Sequence, residues 1–70
     1  MELDYSKQVY LHGHFYARGT LARISFEGRV KNGYLWESDD YKRVVCIMTD
    51  SGKKEWAHDS LVHIRFDKYA

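Results

Sequence analysis

The sequence predicts an all-β protein: a small five- or six-stranded antiparallel barrel or strongly bent sheet, with a short helical turn before the last strand. Three observations predict it. Residues 20–26 alternate strictly, with Thr20, Ala22, Ile24 and Phe26 on one face and Leu21, Arg23 and Ser25 on the other, the period of a half-buried strand. Short apolar segments recur at close spacing and are mostly joined by glycine-containing turns, the pattern of a small barrel or bent sheet. The stretch from Tyr41 to Phe66 reads strand, tight turn, strand, short helical turn, strand. Closing or bending such a sheet hides edges that would otherwise recruit other chains.

Each element follows from local chemistry. Met1 to Lys7 is polar and short, so fraying or loose docking is expected there. Gln8 to His12 alternates, with Val9 and Leu11 on one side, and Gly13 interrupts it. His14, Phe15 and Tyr16 lead to a turn signalled by Arg18 and Gly19, and the two glycines and aromatic content disfavour a helix. The strand at 20–26 ends or bulges at Glu27 and Gly28. Asn32-Gly33 is the strongest local turn signal, because Asn-Gly accepts the positive φ that a type I′ hairpin needs at both central residues. That turn sets Lys31 opposite Tyr34, Val30 opposite Leu35 and Arg29 opposite Trp36. Glu37 to Asp40 is an acidic loop. Lys42 to Thr49 carries the unbroken run Val44 to Met48, Asp50 to Gly52 is turn chemistry, and Lys53 to Ala57 is the return strand. His58 to Ser60 supplies the tight turn, and Leu61 to Phe66 the closing strand.

Seventy residues make one domain, 1–70, and a chain this short buries only roughly 60% of its unfolded surface. Cys46 is the single cysteine, so no intrachain disulfide staples the fold; its apolar surroundings suit a buried, inert thiol. Two tryptophans, six tyrosines and three phenylalanines are therefore expected to supply much of the core, and a homo-oligomer is the other remedy for a small one. The net charge of +1 lacks the basic footprint of a dedicated duplex-DNA binder. No apolar run approaches the roughly 18–20 residues of a membrane helix, and the acidic start Met1-Glu2-Leu3-Asp4 lacks the features of a signal peptide. A soluble, cytoplasmic protein without membrane association is the expectation.

The second half, a hairpin over Tyr41 to Ala57 followed by the tight turn and closing strand, resembles the small barrels of the Src-homology-three type and, within them, the Tudor-like group. Thr20 to Phe66 can be threaded onto that plan. The resemblance implies a small barrel that binds methylated side chains through an aromatic cage, peptides, or nucleic acid. It carries no residue-by-residue motif.

Candidate chemistry starts with the aromatics. Tyr34, Trp36, Tyr41 and Trp56 lie near strand ends and loops, where uncovered rings stack bases, hold cations or anchor partners; the alternative for each ring is a place in the core. The hairpin register puts Tyr34 and Trp36 on the same face as Arg29 and Lys31. With Arg23 on the wet side of its strand and Tyr41 in its loop, these six form the expected binding surface. His12 and His14 with His58 or His63 would make a zinc site only against every standard spacing. No glycine-rich phosphate loop is present, Cys46 has no base beside it, and its apolar run raises rather than lowers its pKa. No cofactor, metal or catalytic residue is expected. The expectation is a non-enzymatic module that regulates or adapts a protein partner through an aromatic and arginine surface. The alternative is a barrel that binds single-stranded nucleic acid.

Overall fold

The computed structural model describes residues 3–65. It is all-β: seven strands in two antiparallel sheets and one 3₁₀ turn. The strands are β1 (Asp4–Leu11), β2 (His14–Arg18), β3 (Leu21–Phe26), β4 (Arg29–Asp39), β5 (Val44–Met48), β6 (Lys54–His58) and β7 (Val62–Ile64), with the 3₁₀ turn at Asp59–Leu61 between β6 and β7. β1 and β2 form a two-stranded ribbon, and the other five run in the order β6-β5-β4-β3-β7. The expected helical turn before the last strand is present, one residue later than expected. Phe66, the expected end of that strand, lies outside the described residues.

The hairpin expected at Asn32-Gly33 is not there. Both residues sit inside β4, and the chain reverses at Glu27-Gly28, where Phe26 pairs with Arg29. Glu27 (φ 52°) and Gly28 (φ 78°) take the positive φ that a two-residue primed turn needs. Tertiary packing overrides the better dipeptide for two reasons. A reversal at Glu27-Gly28 pairs all of β3 with β4 from Leu21↔Tyr34 to Phe26↔Arg29. Gly33 is also needed where it lies: a Cβ there would stand 2.5 Å from the Met48 carbonyl oxygen of β5. Its role is close approach of two backbones, not a left-handed turn. His12-Gly13 makes a second two-residue turn with both φ positive (51° and 83°), so His12 lies in the reversal and His14 on the strand that follows it. The turn at Asp50 to Gly52 falls where the sequence puts it, with Gly52 at φ 84° and Met48 pairing with Lys54.

The alternation of β3 is observed: Ala22 and Ile24 are buried and Arg23 is exposed. The core is aliphatic, built from Val9, Leu11, Ala22, Ile24, Leu35, Val45, Ile47 and Val62, with Tyr16, Ala57, Leu61 and Ile64 packed against it. Val9 and Leu11 come from β1, so the ribbon plugs the sheet. Fully burying each of the valines, leucines and isoleucines among them contributes about 1.5–3 kcal/mol. The expectation that aromatics fill the core is overturned: among the described residues no ring is fully buried, while Tyr5, Phe15, Phe26, Tyr41 and Trp56 are exposed. The fully buried positions of the core are taken by aliphatics, and the rings are left at its margin, as with Tyr16, or in solvent.

Candidate functional site: the groove beside β6

β4 has two halves with different fates. Its C-terminal half meets the ribbon. Arg18 Nε donates to the Trp36 carbonyl (2.9 Å) and its guanidinium lies 4.5 Å from the Trp36 ring centroid, while the Tyr10 N–H reaches Ser38 Oγ (3.3 Å). Trp36 sits at a register shift between Leu35 and Glu37, half-buried under this arginine. The N-terminal half of β4 faces a groove of about 320 Å³.

The apolar floor of that groove is Ile24 from β3, Ala57 from β6 and Leu61 from the 3₁₀ turn. Phe26 and Trp56, 54% and 49% exposed, stand along it. Phe26 is there because the stripe that buries Ala22 and Ile24 continues past the end of the sheet's interior. Arg29, Lys31 and Glu55 supply the charge. Lys31 Nζ is 3.2 Å from Glu55 Oε1, bridging β4 to β6 across β5. The Arg29 side chain makes no hydrogen bond or ion pair among the described residues. Neither Phe26 nor Trp56 stacks on another described ring; the ring contacts are Tyr10–Phe15, at 5.1 Å, and His14–Tyr16.

One side of the groove is an unpaired sheet edge. Among the described residues β6 pairs with β5 and with no other strand. Asp59 N donates to Arg43 O at one end of this ladder and Thr49 N to Lys53 O at the other, both 2.9 Å. Hydrogen-bonded and non-bonded pairs alternate in an antiparallel ladder. Glu55 and Ala57, opposite Ile47 and Val45, therefore direct their peptide groups to β5. Lys54 and Trp56, with the His58 N–H, direct theirs to the open side.

The six expected binding residues are thus divided. Arg29 and Lys31 line the groove. Tyr34 does not share their face, and Trp36 lies under Arg18 of the ribbon, away from the groove, which corrects the register expectation. With β4 continuous, Arg29 and Lys31 share parity with Gly33 and Leu35, and Tyr34 falls on the other side, half-buried between Leu21 and Met48. Arg23 is exposed between Asn32 and His63 in register, and Tyr41 is 96% exposed in the β4–β5 loop, away from the groove lining. Phe26 was the residue sequence reasoning passed over; its signal was its place at the end of an alternating stripe, next to a glycine turn.

A second concavity of about 270 Å³ lies between the His12-Gly13 turn, the β4–β5 loop and the 3₁₀ turn. Its His12, Arg43 and Asp59 are engaged with one another. His12 Nε2 is 2.8 Å from the Asp59 carbonyl and Arg43 Nε 3.2 Å from Asp59 Oδ2, which makes it a latch for the ribbon. The Cys46 thiol is fully buried, and burial pushes its pKa up, with Glu37 adding to the shift; this is the opposite of activation. The Lys54 ammonium, 2.7 Å away, holds Glu37 below the usual carboxylate range. Among the described residues no three His, Cys, Asp or Glu side chains gather as metal ligands, and no helix is long and apolar enough to cross a membrane.

No protein-family model, curated protein or solved structure matches this chain.

Proposed function

We propose that this protein is a non-enzymatic binding module that regulates or adapts a protein partner by occluding or tethering it. The contact surface is the groove of Phe26, Trp56, Arg29 and Lys31, on a barrel of the Src-homology-three-like plan. The observation that carries the reading is two exposed rings, Phe26 and Trp56, set beside an arginine with no side-chain partner among the described residues, along the open edge of β6. Exposed aromatics that no neighbour covers gain most from a partner, and arginine and aromatics are the side chains that anchor interfaces. The order β6, 3₁₀ turn, β7, with β7 returning to pair with β3, supports the barrel plan.

Single-stranded nucleic acid is the competing occupant, since rings and arginines also stack bases. The charge budget favours protein. Lys31, Lys53 and Lys54 are each drawn to a carboxylate, and the net charge is only +1, which leaves little cationic surface for a phosphate backbone. Affinity capture from native extract, with and without nuclease, tests both. A nuclease-resistant partner lost with Phe26→Ala/Trp56→Ala, in a variant that keeps the native amide spectrum, is the expected result. Retention of the partner by the double variant, or its loss on nuclease treatment, overturns the reading.

A further inference from the structure

We infer that the occupant of this groove is an extended acidic segment of another protein, which adds to β6 as a sixth strand of the sheet. The inference rests on the binding-module reading and specifies how that module recognises its partner.

Three features converge on it. The peptide groups of Lys54 and Trp56 and the His58 N–H face the open side of β6, a spacing that an incoming strand satisfies at every second residue. The groove runs along that same edge, and its apolar floor at Ile24, Ala57 and Leu61 receives the inward side chains of such a strand. The outward ones lie along Lys54, Trp56 and His58.

Charge decides the chemistry of the segment. Arg29 is unpaired among the described residues, while the groove's carboxylate, Glu55, is neutralised by Lys31 at 3.2 Å and Lys53 at 3.8 Å. The groove therefore offers one unanswered positive charge beside apolar surface. A basic segment would meet Arg29 with no free acid to compensate. A second copy of the chain fits less well: an antiparallel β6–β6 pairing centred on Trp56 sets Lys54 opposite His58 of the partner subunit, a contact with no attraction between unlike charges.

The test uses the full chain and synthetic nine-residue peptides that alternate Glu with Leu or Phe. Three comparison probes accompany them: the same peptides with Lys in place of Glu, the acidic peptide N-methylated at alternate amides, and an oligo-thymidine. Binding is followed by amide NMR and hydrogen exchange. The acidic peptide is expected to bind, to slow exchange at the Lys54, Trp56 and His58 amides, and to lose affinity about tenfold with Arg29→Glu, the scale of one charge-assisted contact. N-methylation should abolish binding.

Equal binding of the basic peptide, preference for oligo-thymidine, absence of any acidic-peptide shift, or edge protection that grows with protein concentration alone each overturns the inference. Acidic-peptide binding that survives N-methylation but falls with Phe26→Ala/Trp56→Ala removes strand addition and leaves the groove reading standing. Binding insensitive to both removes the groove as well.

Discussion

The two halves of β4 meet the same problem, an open flank of a bent sheet, and solve it differently. At the Trp36–Asp39 half the ribbon folds over. Val9 and Leu11 enter the core, Arg18 stacks on Trp36, and His12 latches to Asp59. At the Arg29–Lys31 half nothing among the described residues folds over, and Phe26, Trp56 and Arg29 stay in water. In a small domain every apolar side chain left outside is stabilisation forgone. The difference teaches where stability resides and where a partner has something to gain.

That contrast is broken most directly by truncation on each side. Leu11→Ala should cost about 2–5 kcal/mol, the range for a fully buried leucine, enough to unfold much of a domain this size. Phe26→Ala should cost about 1 kcal/mol or less, since the ring is already half in solvent. Urea midpoints of the two variants measure this, and a larger loss for Phe26→Ala than for Leu11→Ala would reverse the assignment of core and surface.

Gly33 offers the next largest effect, because it joins the two halves of the strand. Gly33→Ala forces β4 and β5 apart at the Met48 carbonyl and should cost about 1–3 kcal/mol, as overpacking does. Asn32→Ala beside it should stay within about 0.5 kcal/mol, the usual span for an exposed position. Equal and large losses at both would restore the reversal to Asn32-Gly33.

The smallest effect is electrostatic and lies on the β5–β6 side. Lys54 lowers the folded-state pKa of Glu37 from its ordinary value of 4.5. A depressed carboxyl pKa contributes stability above the unfolded value and loses it as pH falls through the folded one. Acid should thus weaken the fold at pH values below 4.5, and Lys54→Met should flatten that dependence. The pair is exposed, so the change is small. An acid dependence identical in Lys54→Met and the parent would assign the effect to other carboxyls, of which Asp4, lowered by its bond from the Ser6 hydroxyl, is one.

Composition, alternation and turn residues determined that this chain is all-β, that Ala22 and Ile24 face inward, that Val44 to Met48 is a buried strand, and that a tight turn precedes the last one. Those are local properties: the period of a stripe and the φ a glycine accepts are written in a few adjacent residues. Three things were decided only when the strands met. Glu27-Gly28 outcompeted Asn32-Gly33 because reversal there pairs the whole of β3. Gly33 became a point of backbone contact with β5, and rings such as Phe26 and Trp56 stayed exposed while aliphatics from five separate strands filled the interior. Each is settled by what distant segments leave available as partner or as volume, which no local window of sequence contains.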